Sequence, residues 1–350
     1  MRINDALQQA WPAFVLVSGL LLVGLAAHSD GLFAQSGRRL EMVPGPPVAL
    51  LAAAMLLVAV VTAVLNLDTA VVFLTPVVVI AARRRGIDEE PFLFAALFVA
   101  NASSLYLPGS NLTNLLVLDR HPASGSAFAG QMLAAALAAT LVTAGGLLLI
   151  FRRALRAAAT RPGREPRVQP SRVGLLAALA AAGLTLALRN PAPEVLGVGA
   201  VAVTIQLARH RLTLPEVTRA VGPLTLSGLF VLSVAVGTLA RGWDGPAELL
   251  VHAGLWGTAA TGAIASIAIN NLPAAMLLSA RPLGHPRALL VGLNLGPNLA
   301  VSGSLAAYLW FKAARQLDCR PSFRAFTRRG LLLAPAAIVT ALLASSLLPG

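Results

Sequence analysis

Asp68 sits between two apolar arms, 48–65 and 69–82, whereas the other 13 of the 14 acidic residues fall at the ends of apolar runs or between them. A carboxylate enclosed by membrane-compatible sequence is costly to place and is a functional candidate by default. Such a group can carry H⁺ or Na⁺, so Asp68 is the candidate coupling residue. The plainer alternative is that it caps a helix over 69–82. Neutral polar residues surround it in the sequence. Asn66, Asp68 and Thr69 mark the break between the arms, and Asn101, Ser103, Ser104, Ser110, Asn111, Thr113 and Asn114 interrupt the run 92–118, which Pro108-Gly109 also breaks. A second cluster holds Asn270, Asn271 and Pro273, followed by Asn294, Gly296, Pro297, Asn298, Ser302, Gly303 and Ser304 in the run 288–311. Amides, hydroxyls and freed backbone groups can hold an oxyanion or a neutral polyhydroxy solute, and their carbonyls can hold Na⁺. Helix N-termini offer unpaired N–H groups to anions. Any one of these residues could equally join helices by hydrogen bonds. Two clusters at matching places in the chain favour a site.

The elements that must position these residues are set by composition. The chain has 350 residues, of which 57% are hydrophobic and 12% charged. Soluble domains carry about twice that charge, so a soluble fold, disorder and a fibrous protein are excluded in favour of an all-α polytopic membrane protein. The net charge of +13 would suggest nucleic acid for a soluble chain; here it predicts arginine-rich loops meeting the lipid bilayer, and no nucleic acid. With a single cysteine, Cys319, neither an intrachain disulfide nor a trithiolate site can form. No Walker, H-E-x-x-H or C-x-x-C motif is present, and no cofactor or resident metal is expected. The Ala, Gly and Arg bias suggests a bacterial source and hence an inner-membrane location.

A bilayer core of about 30 Å requires roughly 20 apolar residues per helix. Runs at 11–27, 92–118, 126–151, 173–188, 195–208, 222–240, 288–311 and 330–348 predict about eight full spans. The first of these is not a convincing signal peptide, because its short n-region holds only Arg2, offset by Asp5. The segments 69–82 and 274–280 are too short to cross. Each follows a longer arm, 48–65 or 249–269, and a polar break, which predicts two re-entrant helical hairpins. Irregular backbone at membrane depth is tolerated only where protein buries it or it lines an aqueous cavity. Letting each hairpin return to its own side leaves Arg2, Arg120, Arg189, Arg241, Arg281 and Arg287 on one face and the other 21 of the 27 basic residues on the opposite face. The face with 21 is predicted to be cytoplasmic, with both termini outside.

The chain divides into a first repeat over 1–151, a basic cytoplasmic linker over 152–172 and a second repeat over 173–350. VTAVLNLDTAVVFL (61–74) echoes SIAINNLPAAMLL (266–278), and ANASSLYLPGSNLTNLL (100–116) echoes LNLGPNLAVSGSLAAYL (293–309). The hairpins open to opposite sides, so the repeat is inverted. Inverted repeats with broken helices near the midplane predict a secondary transporter. The runs 173–188 and 195–208 have no counterpart before residue 11, so the first repeat is short at its N-terminus, by nature or by truncation.

LNLDTAVVFLTPVVV (65–79), PFLFAALFVANASSLYLPGSNLTNLLV (91–117), INNLPAAMLL (269–278) and NLGPNLAVSGSLAAYLW (294–310) resemble the ion-transporter superfamily of ArsB-type arsenite permeases, NhaD-type antiporters and divalent-anion/sodium symporters. The resemblance is strongest to the ArsB type, although Leu67 stands where ArsB-type first tips commonly have Asn. It implies two hairpin tips facing two unwound helices, an elevator-like motion against a scaffold, and proton-coupled export of arsenite or antimonite. A homodimer through the scaffold is within its scope. By position, Asn66, Asp68 and Thr69 with Ser110 and Asn111 form one half-site, and Asn270 and Asn271 with Gly303 and Ser304 form the other. The alternatives are a Na⁺- or H⁺-coupled transporter of sulfate or dicarboxylates, and a membrane enzyme or non-transporting subunit. An enzyme would need a second acid, base or metal ligand beside Asp68, and the sequence offers none at that depth.

Overall fold

The computed structural model describes residues 2–118, 124–157, 172–243 and 245–346. Among them every regular element is helical. The chain opens with α1 (Arg2–Ser29) and a short amphipathic α2 (Leu32–Glu41), followed by the first hairpin, α3 (Pro47–Val64) and α4 (Leu67–Arg84). Then come α5 (Glu90–Ser103), a 3₁₀ turn (Pro108–Ser110), α6 (Leu112–Leu118), α7 (Gly125–Ile150) and α8 (Arg152–Ala157). The second half holds α9 (Val173–Ala187), α10 (Ala192–Ala208), the surface helix α11 (Leu214–Val221) and α12 (Pro223–Ala240). It continues through α13 (Gly245–His252), the second hairpin α14 (Gly254–Ile269) and α15 (Asn271–Leu278), and α16 (Pro286–Leu295). Two 3₁₀ turns (Gly296–Asn298 and Val301–Gly303) lead into α17 (Leu305–Gln316) and α18 (Phe323–Ser346).

The two broken runs are therefore helix, irregular backbone, helix. Pro108 opens the first 3₁₀ turn after the extended Leu107, and Pro297, just past the end of α16, has no N–H to continue that helix. Pro47, Pro223 and Pro286 occupy the first positions of their helices, where the missing N–H costs nothing. Five stretches are long and apolar enough to cross a membrane: α1, α3, α7, Leu214–Ala240 and α18, with α5, α9, α10 and α14 shorter but apolar. This is a polytopic membrane protein. The 14 residues expected for the return arm of the first hairpin grow to 18 in α4, because Asn66 starts the helix earlier and Arg83 and Arg84 extend its last turn.

The described loops gather on two faces. One face holds Asp30 against Arg211, Glu41 against Arg84, Arg83 against Glu89, and Glu90 against Arg329. Both ends of the first hairpin lie here, since Arg85 donates to the carbonyls of Glu41 and Val43 at 2.7 and 2.9 Å. The opposite face holds Asp5, Gln9, Arg241 and Ser279. The first face carries most of the described basic side chains. The linker 152–172 begins as α8, and residues 158–171 lie outside the described residues.

Packing is reciprocal. Each hairpin's first arm lies on the first segment of the following broken helix, α3 on α5 and α14 on α16. Each second arm lies on the other half's distal segment, α4 on α17 and α15 on α6, while α7 packs on α18 and α1 on α12. Without a hydrophobic drive between helices in lipid, close van der Waals fit decides such contacts. At the α1–α10 crossing a Cβ added to Gly199 would lie 2.6 Å from the Gly19 carbonyl, so only glycine permits that approach. On the basic face, fully buried Trp310 donates to the Leu93 carbonyl at 2.7 Å amid Phe94, Phe98 and Phe326, locking α17 and α18 to α5.

Candidate functional site

Four chain breaks meet at one point. A gap of about 10 Å³ is lined by Leu67 and Asp68 of the first tip, Asn271 and Leu272 of the second, Asn111 and Leu112 of the first broken helix, and Ser304, Leu305 and Ala306 of the second. Each break begins a helix, and a side chain caps each start. Asn66 accepts from Thr69 N at 2.6 Å, Asn111 from Thr113 N at 3.3 Å, Asn270 from Leu272 N at 3.3 Å and Ser304 from Ala307 N at 3.2 Å. The N-cap of α4 is therefore Asn66 rather than Asp68, which the sequence left open. The positive ends of α4, α15 and α17 face a common centre, which suits a solute presenting oxygen.

Asp68 is half-buried. Among the described residues its carboxylate has no hydrogen bond or ion pair. It lies on the floor of a cleft of about 680 Å³ that also takes in His28, Val72, Phe73, Arg211, Glu216, Arg219, Leu305, Tyr308 and Lys312. Arg211 is paired with Asp30, and Asp30 lies on the basic face, so the cleft opens there. Leu305, Tyr308, Leu309 and Lys312 share one side of α17 and form a wall from the central gap to the mouth. Sequence reasoning left His28 at a run end; it stacks on Phe73 at 4.8 Å within the wall of this cleft.

The other predicted residues divide by what they touch. Asn294 is the hub of a buried network. Its Oδ1 accepts from Ser104 Oγ at 2.7 Å, Asn111 Nδ2 at 2.5 Å and Thr113 Oγ1 at 3.3 Å, and its Nδ2 donates to Asn114 Oδ1 at 2.9 Å. Asn101 Nδ2 donates to Asn298 Oδ1 at 2.7 Å. Asn101, Ser104, Asn114, Asn294 and Asn298 thus join the two broken helices to each other, and only Asn111 also reaches the central gap. Ser103 faces Thr140 at 3.3 Å, and Ser110 donates to the Ala63 carbonyl at 3.1 Å; neither lines the gap. Among the described residues Asn66 Nδ2 and Thr69 Oγ1 are buried without a hydrogen-bond partner, behind the first tip. Asn270 and Ser302 open onto a lateral groove that adjoins the gap at Ser304 and Leu305, with Ser302 donating to the Ile267 carbonyl at 3.1 Å. Gly303 sits where a Cβ would come within 2.6 Å of Pro297 Cα. Asn270 holds φ +73° and ψ 149°, a conformation close to glycine-only territory, and no sequence signal marked that strain.

The model of the citrate transporter family (CitMHS) matches residues 5–301. Arsenical pump membrane proteins of Escherichia coli K12 and Shigella flexneri are each 27% identical over 310 residues, covering 79% of this chain and 72% of theirs. That of Yersinia enterocolitica is 26% identical over the same coverage. A match over most of the chain, on a helical membrane fold with two broken helices, places the protein among transporters rather than enzymes: the chain belongs to the citrate transporter family.

Proposed function

We propose that the chain is a secondary transporter that exports arsenite or antimonite in exchange for protons. In this reading the two halves are inverted repeats, and the module of α3–α7 and α14–α18 moves elevator-like against α1 and α9–α12. The observation that carries it is the convergence of both tips and both helix breaks on one small polar gap beside Asp68, whose carboxylate has no hydrogen bond or ion pair among the described residues. Neutral trihydroxy solutes need donors and acceptors but no resident countercharge. Asn111, Asn271 and Ser304 supply them with the capped N-termini around them. Asp68 then takes up a proton from one side and releases it to the other. In this reading the basic face is the cytoplasmic side of a bacterial inner membrane, the cleft opens toward it and both termini lie outside. Kinship at 26–27% identity with proteins named as arsenical pump components supports this reading.

A second reading has one observation of its own. Lys312 lines the cleft, and among the described residues it makes no hydrogen bond or ion pair. A free cation on the path suits a carboxylate or sulfate substrate, as does the name of the family. Uptake of arsenite into everted vesicles, with and without a protonophore, tests the first reading. Proton-driven uptake supports it. Arsenite-silent protein that carries citrate or a dicarboxylate in vesicles of either orientation, and loses that flux with Lys312→Gln, overturns it in favour of the second.

A further inference from the structure

Gln9 lies in α1 at 1% exposure, 19 residues before His28. At 1.5 Å per residue these positions are about 28 Å apart, so α1 carries the cleft at one end and Gln9 toward the other. The Gln9 carboxamide is saturated. Its Nε2 donates to the Leu116 carbonyl at 2.7 Å and to Ser279 Oγ at 3.0 Å, and its Oε1 accepts from Arg241 Nη2 at 2.6 Å. The orientation of the amide is forced, because a carbonyl can only accept and a guanidinium can only donate. Leu116 lies in α6, and Ser279 ends α15 as its C-cap. Arg241 ends α12 and is braced by the Gly237 carbonyl at 2.8 Å and the Asp5 carbonyl at 3.3 Å. One side chain thus joins α1 and α12 to the last turns of the two distal helix segments that descend from the central gap.

On that same face a second cavity of about 260 Å³, lined by Gln9, Pro108, Leu115, Leu118 and Arg189, stops short of the gap. The path is therefore open from the basic face to Asp68 and shut on the opposite face where Gln9 ties α6 and α15 to α1. We propose that Gln9, held by Arg241, is a latch that closes the far side of the pathway and holds the module in the position seen here. The latch rests on the transport reading for its consequence, but not for its geometry. Moving α6 and α15 relative to α1 must break two of its hydrogen bonds and leave a buried carboxamide and a carbonyl unmatched, which biases the population toward the latched state.

Two reporters in a Cys319→Ser background measure this bias without flux: Val72→Cys in the open cleft and Leu115→Cys in the far cavity. A membrane-impermeant maleimide is applied from each side of oriented vesicles. With Gln9 present, Val72→Cys reacts from the basic face and Leu115→Cys reacts slowly from the other. Adding Gln9→Leu, which keeps the volume and removes the bonds, shifts the ratio of the two rates about tenfold toward the far side. Ser279→Ala removes one bond only and shifts it the same way by a smaller factor, which serves if Gln9→Leu does not fold. Ratios within twofold of the parent in both variants overturn the latch. Because labelling needs no substrate, a shifted ratio in a protein that moves no solute leaves the latch standing and removes the transport reading. An unshifted ratio in a protein that does transport removes the latch alone.

Discussion

The Asn111 side chain donates to Asn294 Oδ1 at 2.5 Å across 183 residues of sequence, which places one broken helix directly against the other. Asn294 also engages Ser104, Thr113 and Asn114, so a single carboxamide satisfies the freed polar groups of the opposing helix. Removing it leaves several buried donors and acceptors unmatched, each costing about 1–3 kcal/mol. Asn294→Ala is expected to lower thermal stability in detergent more than Asn111→Ala. Asn111 contributes one bond to the hub and otherwise caps only Thr113 N. Equal melting temperatures for the two variants would show that Asn294 is not the hub.

Asp68 behaves in the opposite way. Among the described residues its carboxylate has no protein partner, so Asp68→Asn changes charge without removing a contact. Its melting temperature is expected to stay within about 2 °C of the parent, while proton-driven solute uptake falls to background. A large loss of stability would indicate that the carboxylate holds the first tip together. Uptake that persists at the parent rate would remove Asp68 from coupling.

The all-helical membrane fold and the breaks in its apolar runs were legible in the sequence, because apolar run length and the cost of polar groups in lipid are local properties. What each polar residue touches was not. Asn101 with Asn298 and Asn111 with Asn294 pair across nearly 200 residues, and an asparagine that binds another asparagine has the same local context as one that faces a solute. Gln9 stands before one apolar run and Arg241 after another, and only the fold brings them to 2.6 Å. The alternative role of Asp68 as the helix cap is filled instead by Asn66, whose extended backbone lets its side chain reach Thr69 N.

Asn270 at the second tip supplies a prediction in two directions. Its φ of +73° with ψ near 149° is a conformation that side chains pay for, at about 1–3 kcal/mol. Its side chain compensates by accepting from Leu272 N and donating to the Ser302 carbonyl. Asn270→Ala keeps the strain and loses both bonds, so its melting temperature should fall below that of Asn270→Gly, which loses the bonds but relieves the strain. The reverse order would mean that the backbone at this position is relaxed. Asn66, in extended backbone, should show no such rescue by glycine.

Cys319 lies in the loop between α17 and α18 on the basic face, at 4% exposure. Its thiol donates to Glu89 at 3.2 Å, and Arg83 donates to both Glu89 and the Leu317 carbonyl. This cluster fastens the end of the first hairpin to the second half. Arg83 holds the Glu89 carboxyl below its usual range, so Glu89 stays charged through neutral pH. Burial, and then the neighbouring Glu89 charge, push the thiol up from 9.0 to about 11. A folded-state value above the unfolded one means that the native protein holds this proton more tightly. The stability it contributes is complete below about pH 9 and is lost as pH rises from there through about 11. Because only the thiolate is nucleophilic, alkylation of Cys319 in the folded protein by a small neutral reagent should rise with a midpoint near pH 11. Glu89→Gln should lower that midpoint while burial keeps it above 9. A parent midpoint at or below 9 would show that the thiol is solvated and that this loop contact opens in solution.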